Sequence, residues 1–293
     1  MKTFPQKNPF QVESLEERVV LSSDLAAVVA PSNVSALVSN GILQIRGDNL
    51  GNNVDITQLS NGQFQIKGNT GTLINQRSSP VVLGNVVDIN AQLRDGNDSL
   101  TLSLQNNRSL RDISIDMGAG QREKVVVKGG KEISGNLIVT TKGTSALNFD
   151  TDGTSLDVKG RTTIVGNSAV GSTTGDKINL LGKYNILYVE TGDGNDSVTL
   201  GIKCNCATNV RFNSNKATVK TRAGNDSLQL FKVKADDFFA DLGAGNDSLS
   251  LATVQLSNTS AKARLQGGSG TDAIKELTSI TGQPLYISLE GRP

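Results

Sequence analysis

The chain has 293 residues, of which 36% are hydrophobic and 4% aromatic, with 31 glycines and no tryptophan; a wide central core is hard to fill from that supply, and a thin repetitive architecture is easier. Histidine is absent, which excludes Ser-His-Asp and Cys-His triads and histidine zinc sites. Lys+Arg 29 against Asp+Glu 28 leaves a net charge of +1, so there is no electrostatic footprint for a nucleic-acid partner.

Residues 1–35 differ from the rest. Lys2 and Lys7 come first, Ser14 and Glu17 have the spacing of a helix-capping box, and a mildly apolar stretch from Val19 to Ala30 is broken by Asp24. Val28, Val29 and Ala30 make an acceptable small-residue cleavage site. The run from Leu15 to Ser22 resembles the LEPRxLLS-type amino-terminal motif of large planctomycete surface and exported proteins, with Glu17 at the proline and Val20 at one leucine. That resemblance implies a secreted or cell-surface protein whose first 35 residues are a targeting segment; an amphipathic helix capping the body is the alternative. No run approaches the roughly 18 to 20 apolar residues of a membrane span.

From residue 36 to 293 the chain reads as one body of short strands. Leu43 to Arg46, Phe64 to Lys67, Ser155 to Lys159, Asn209 to Phe212 and Ser248 to Leu251 alternate apolar and polar residues, and Lys124 to Lys128, Asn136 to Thr140, Asn185 to Glu190 and Leu285 to Leu289 are short, mostly apolar runs of the same length. Period 2 over four to six residues marks a strand with one face inward. The residues between them are Gly, Asn, Asp and Ser, which tolerate positive φ or make Asx turns. The cysteines, Cys204 and Cys206, leave the same face of an extended segment at a spacing that does not suit a disulfide, so thiols are expected. With no other Cys and no His, a metal site there would be incomplete.

One turn recurs before a strand. It is Arg94 to Leu100 (RDGNDSL), Gly192 to Val198 (GDGNDSV), Arg222 to Leu228 (RAGNDSL), Gly243 to Leu249 (GAGNDSL) and, as a variant, Gly268 to Ile274 (GSGTDAI). Weaker echoes are Gly118 to Gly120 running into Val125, Asp152 to Leu156, and Thr174 to Ile178. Successive post-turn apolar residues, Leu100, Val125, Leu156, Ile178, Val198, Leu228, Leu249 and Ile274, lie 20 to 31 residues apart. Such a period signals a solenoid, each repeat burying its apolar side only against its neighbours. The expected fold is all-β: a right-handed parallel β-helix of about ten coils, the hand following from the bias of parallel crossovers. A β-sandwich array is the alternative.

The turns are where chemistry can sit. They resemble the hemolysin-type (RTX) calcium-binding repeat, Gly-Gly-x-Gly-x-Asp-x-apolar-x, and Gly267 to Lys275 matches it in full. The resemblance implies Ca²⁺, a hard cation taking oxygen ligands, and carries the family's aspartate onto Asp98, Asp196, Asp226, Asp247 and Asp272. Arg94 and Arg222 stand where the family has a second glycine, and the repeats here are not consecutive. From the residues alone, the aspartates serve equally as turn residues bonding their own turns. Aspartates one coil apart, at about 4.8 Å, repel by about 1 kcal/mol per pair in water, so either Ca²⁺ or Arg94, Arg122, Lys177 and Arg222 in the same column must compensate.

Three functional classes are consistent with these features. A secreted or surface-attached structural, adhesin-like module fits fold, charge and amino-terminal motif; its surface or matrix partner is not written in the sequence. A polysaccharide-active β-helix enzyme needs clustered carboxylates and aromatic platforms. Tyr184, Tyr188, Tyr286 and the Asp236, Asp237, Asp241 group supply few of these, so no catalytic residue is assigned and no enzyme is expected. A dedicated calcium-binding domain needs more acid than this chain has.

Overall fold

The computed structural model describes residues 30–105, 109–129, 132–149, 156–166, 174–202, 212–256, 263–282 and 285–288. Met1–Ala30 and Pro31–Pro293 are two compact units, and the second is described below. The Leu15 to Ser22 motif, the Ser14 cap, Val28 and Val29 of the cleavage site, both cysteines, and the echo at Asp152 to Ser155 lie outside the described residues.

The protein is all-β. The described residues hold 23 strands that join in one mixed sheet, and no helix. The strands form because period 2 puts alternate residues inside: in Asn53–Gln58, Val54 and Ile56 are fully buried, and in Ser99–Ser103 so are Leu100 and Leu102. Each such side chain contributes about 1.5–3 kcal/mol by burial. A one-residue slip would turn the whole set outward, which fixes the register.

From Asp88 onward every strand pairing among the described residues is parallel, and the pairings stack into columns. In one column, Leu100 pairs with Val125 and then Leu147, Ile178, Val198, Leu228, Leu249 and Ile274 follow in turn. A second runs Leu43, Ile89, Ile113, Leu137, Thr162, Leu187, Ala217 and Phe238. A third, shorter column joins Ile133, Val158, Tyr184, Ser214, Ala235 and Leu256. Long strands such as Ser227–Asp241 pass from one column to the next: Leu228 lies in the first and Ala235 in the third, while Phe238 lies in the second.

Two differences from the expected order stand out. The rung between Val125 and Ile178 is Leu147, not Leu156. The turn leading into it, Thr141 to Ser145, carries Ser145 in the aspartate register and so lacks the signature. Leu156 is itself buried, in the segment that leads into the third column. In addition, residues 32–83 hold antiparallel pairs. Ser32–Ser39 pairs with Ile42–Arg46, Asn53–Gln58 with Phe64–Gly68, and Phe64–Gly68 with Val81–Leu83. The first of these hairpins turns on Asn40 and Gly41, both at positive φ (50° and 79°), the two-residue geometry that matches strand twist.

Candidate functional site

The GxGND turns lie over one another. Gly194 N–H donates to Ala223 O (2.7 Å), Gly224 to Ala244 O (2.8 Å) and Gly245 to Ser269 O (2.8 Å). The central glycines permit this approach. Gly224, Gly245 and Gly270 have φ of 145°, 144° and 138°, and a Cβ on each would lie 1.9, 1.8 and 1.9 Å from the carbonyl oxygen of the glycine one turn earlier. Arg94 and Arg222 stand where other turns have Gly118, Gly243 and Gly268, and they adopt the same left-handed region, φ 72° and 63°.

The aspartates form a ladder. The backbone N–H of Asn52 donates to Asp98 Oδ1 (2.7 Å), and that of Asp176 to Asp196 Oδ1 (2.6 Å). Asp196 donates to Asp226 (2.7 Å), Asp226 to Asp247 (2.7 Å), and Asp247 to Asp272 (2.9 Å). Asp98 N–H reaches Glu123 Oε2 (3.3 Å), and Ser145 gives both its N–H and its hydroxyl to Asp176 Oδ1 (2.7 Å each). Each carboxylate therefore holds the backbone of the coil before it, not its own turn.

The asparagines before Asp98, Asp196, Asp226 and Asp247 work in the opposite direction. Asn225 N–H donates to Asn195 Oδ1 (2.8 Å), Asn246 to Asn225 (2.8 Å), Thr271 to Asn246 (2.9 Å) and Gln121 to Asn97 (3.0 Å). Adjacent Asn and Asp side chains thus clasp the following and the preceding coil, and turn N–H groups that the strand ladders leave over are satisfied. All five predicted aspartates belong to this column. Asp176, visible in the sequence only as a weak echo, belongs to it, and so does Glu123, which pattern matching misses because Gln121 and Arg122 lengthen its turn by one residue.

The second carboxylate oxygens are different. Oδ2 of Asp98, Asp176, Asp196, Asp226, Asp247 and Asp272, and Oε1 of Glu123, are buried without a hydrogen-bond partner. Glycine makes room for several: a Cβ on Gly120, Gly166 or Gly267 would lie 1.7 to 2.0 Å from such an oxygen. Burial favours the neutral acid. It pushes Asp98, Asp196 and Asp226 up to about 7 and Asp247 to about 6, with Asp272 adding to the last. Burial and then Asp98 push Glu123 to about 8, and burial raises Asp176. The backbone N–H groups of Asp176 and Asp196 oppose the rise at Asp196 and Asp226 respectively.

The cations expected beside the aspartates do not take that place. Arg222 Nε donates to Glu190 (2.8 Å), and among the described residues no ion pair to the five aspartates is formed. The stacked acids instead accept backbone N–H groups of the neighbouring turn. Asp237 is paired with Lys216 at 3.4 Å. Among the described residues no three His, Cys, Asp or Glu side chains come together as a metal-holding group. The column offers one uncommitted carboxylate oxygen per coil, against the six to eight oxygens that Ca²⁺ takes, so these side chains do not by themselves make up a calcium site. No helix among the described residues is long and apolar enough to cross a membrane.

Comparisons of this chain with protein-family models, with curated proteins and with solved structures find no match.

Proposed function

We propose that residues 36–293 are a right-handed parallel β-helix of about ten coils that serves as a secreted or cell-surface structural, adhesin-like module. The three columns of parallel pairings support the helix reading, because the same strand passes from column to column and returns one coil later, 20 to 31 residues on. The observation that carries the functional reading is the use made of the acidic groups: Asp98, Asp196, Asp226, Asp247 and Asp272 each spend a carboxylate oxygen on a neighbouring coil's backbone. Residues committed in this way stiffen a scaffold. Surface exposure follows from the amino-terminal resemblance and is tested by labelling intact and permeabilised cells with an antibody to this chain. Signal on intact cells is expected; signal only after permeabilisation overturns the reading.

A calcium-stabilised version of the module has one observation in its favour, the row of buried carboxylate oxygens without partners. In that version Ca²⁺ takes the place of the protons, with the remaining ligands coming from water or backbone, and ionisation of the column costs less in its presence.

A further inference from the structure

Asparagine and serine occur as a pair in the turn column. In register, the residue after the aspartate position runs Ser99, Lys124, Ala146, Lys177, Ser197, Ser227, Ser248 and Ala273. Two residues before these stand Asn97, Arg122, Thr144, Gly175, Asn195, Asn225, Asn246 and Thr271. Asparagine and serine are thus both present on four of these rungs and both missing from the other four; no rung has one alone. Stacking does not require the pair. The last turn keeps Gly270 and Asp272 and holds the same register and the same backbone bonds with Thr271 and Ala273 in place of Asn and Ser.

The four asparagines are exposed, and their bonding fixes which atom each leaves free. Asn97, Asn195, Asn225 and Asn246 each accept a backbone N–H of the following coil, so the atom at that contact is Oδ1 and the amide nitrogen is left over. Among the described residues that nitrogen has no hydrogen-bond partner in any of the four. Asn52, Asn75, Asn136, Asn179, Asn185 and Asn215 all donate through theirs.

We infer that Asn97, Asn195, Asn225 and Asn246 are acceptors of N-linked glycosylation. Asn-Asp-Ser is an Asn-x-Ser acceptor triplet without proline in the middle. The modification takes Nδ2 and the coil contact takes Oδ1, so a sugar and the contact coexist. The donor is a glycosyl diphosphate, nucleotide- or lipid-linked, used by a transferase separate from this chain. Nδ2 bonds to the sugar C1 as the C1–O bond to phosphate breaks; the diphosphate carrier leaves with the bonding pair, and one amide proton passes to a base of the transferase. The product is a bulky, hydrated edge along the turns.

The test is peptide mass spectrometry, with fragmentation that keeps side-chain modifications in place, on the full chain recovered from the cells that naturally produce it, as parent and as Ser227→Ala. Saccharide mass is expected on the four asparagines. Ser227→Ala should lose the saccharide at Asn225 alone and keep its melting midpoint, since Ala146 and Ala273 already stand at that register. Four bare asparagines in the parent chain, saccharide that fragments onto serine, or saccharide kept on Asn225 in the variant overturns the inference. One sugar per site assigns a nucleotide-linked donor and a preassembled chain a lipid-linked one; either supports it. If Ser227→Ala does not melt cooperatively, Ser99→Ala must lose the saccharide at Asn97 in the same way. A parent chain that melts cooperatively with all four asparagines bare ends this inference and leaves the scaffold reading standing.

Discussion

Asp226 and Asp247, 21 residues apart in the chain, are joined by a 2.7 Å hydrogen bond from the backbone N–H of one to the carboxylate of the other. Asp226 in turn accepts the N–H of Asp196 at 2.7 Å. Asp226 is therefore both donor and acceptor in a chain of contacts between successive turns, and its contribution is separable from its charge.

Replacing Asp226 by alanine leaves the buried N–H of Asp196 without an acceptor. At about pH 5, where the carboxyl is already neutral, the loss is about 1–3 kcal/mol by denaturant unfolding. Asp226→Asn keeps the acceptor and is expected near the parent stability at that pH. An alanine variant as stable as the asparagine variant would mean the bond contributes nothing.

The raised carboxyls make stability depend on pH in an unusual direction. Asp98, Asp196 and Asp226 at about 7, Asp247 at about 6 and Glu123 at about 8 bind protons more tightly folded than unfolded. The folded state therefore holds more protons from about pH 4 upward, and stability falls as pH rises to about 8. Below that range Glu190, held low by the Tyr188 hydroxyl and Arg222, acts the other way and its contribution fades. The melting temperature should peak in mild acid and drop by several degrees by about pH 8; a rise over that range contradicts the buried acids.

Calcium is decided on the same samples. Melting at about pH 8 with excess Ca²⁺ and with chelator should give equal curves if protons and backbone N–H groups alone satisfy the column. A midpoint raised by several degrees in Ca²⁺ would place the ion at the ladder, and Asp226→Asn should then shrink the rise.

Gly245 has φ 144° and its missing Cβ would lie 1.8 Å from Gly224 O. Gly245→Ala combines a left-handed strain with a backbone clash, so a loss of about 3 kcal/mol or more is expected. Gly71, with φ 79° and nothing within 4 Å of its Cβ position, meets only the strain and should lose about 1–2 kcal/mol as alanine.

Much of the column was legible because one turn signature precedes Leu100, Val198, Leu228 and Leu249, and these residues do stack. Where the signature is missing the reading slips. The Thr141 to Ser145 turn has no aspartate, so Leu156 was expected at the rung that Leu147 occupies. Asn40 and Gly41 are a hairpin signal that the expected all-parallel order passes over. The direction of the aspartate bonds was not readable at all. An Asx turn to the residue's own backbone and a bond to the preceding coil use the same side chain, and only stacking distance decides between them. Arg222 was expected among the aspartates but lies across from Glu190, a partner 32 residues away that no local pattern connects.

Amide hydrogen exchange at the turn aspartates tests the coil-to-coil ladder most directly. The N–H groups of Asp176, Asp196, Asp226 and Asp247 should exchange as slowly as those of the strands that follow them, and Asp226→Ala should speed the Asp196 amide while leaving Asp247 slow. Turn amides that all exchange at the rate of free loops would contradict the account.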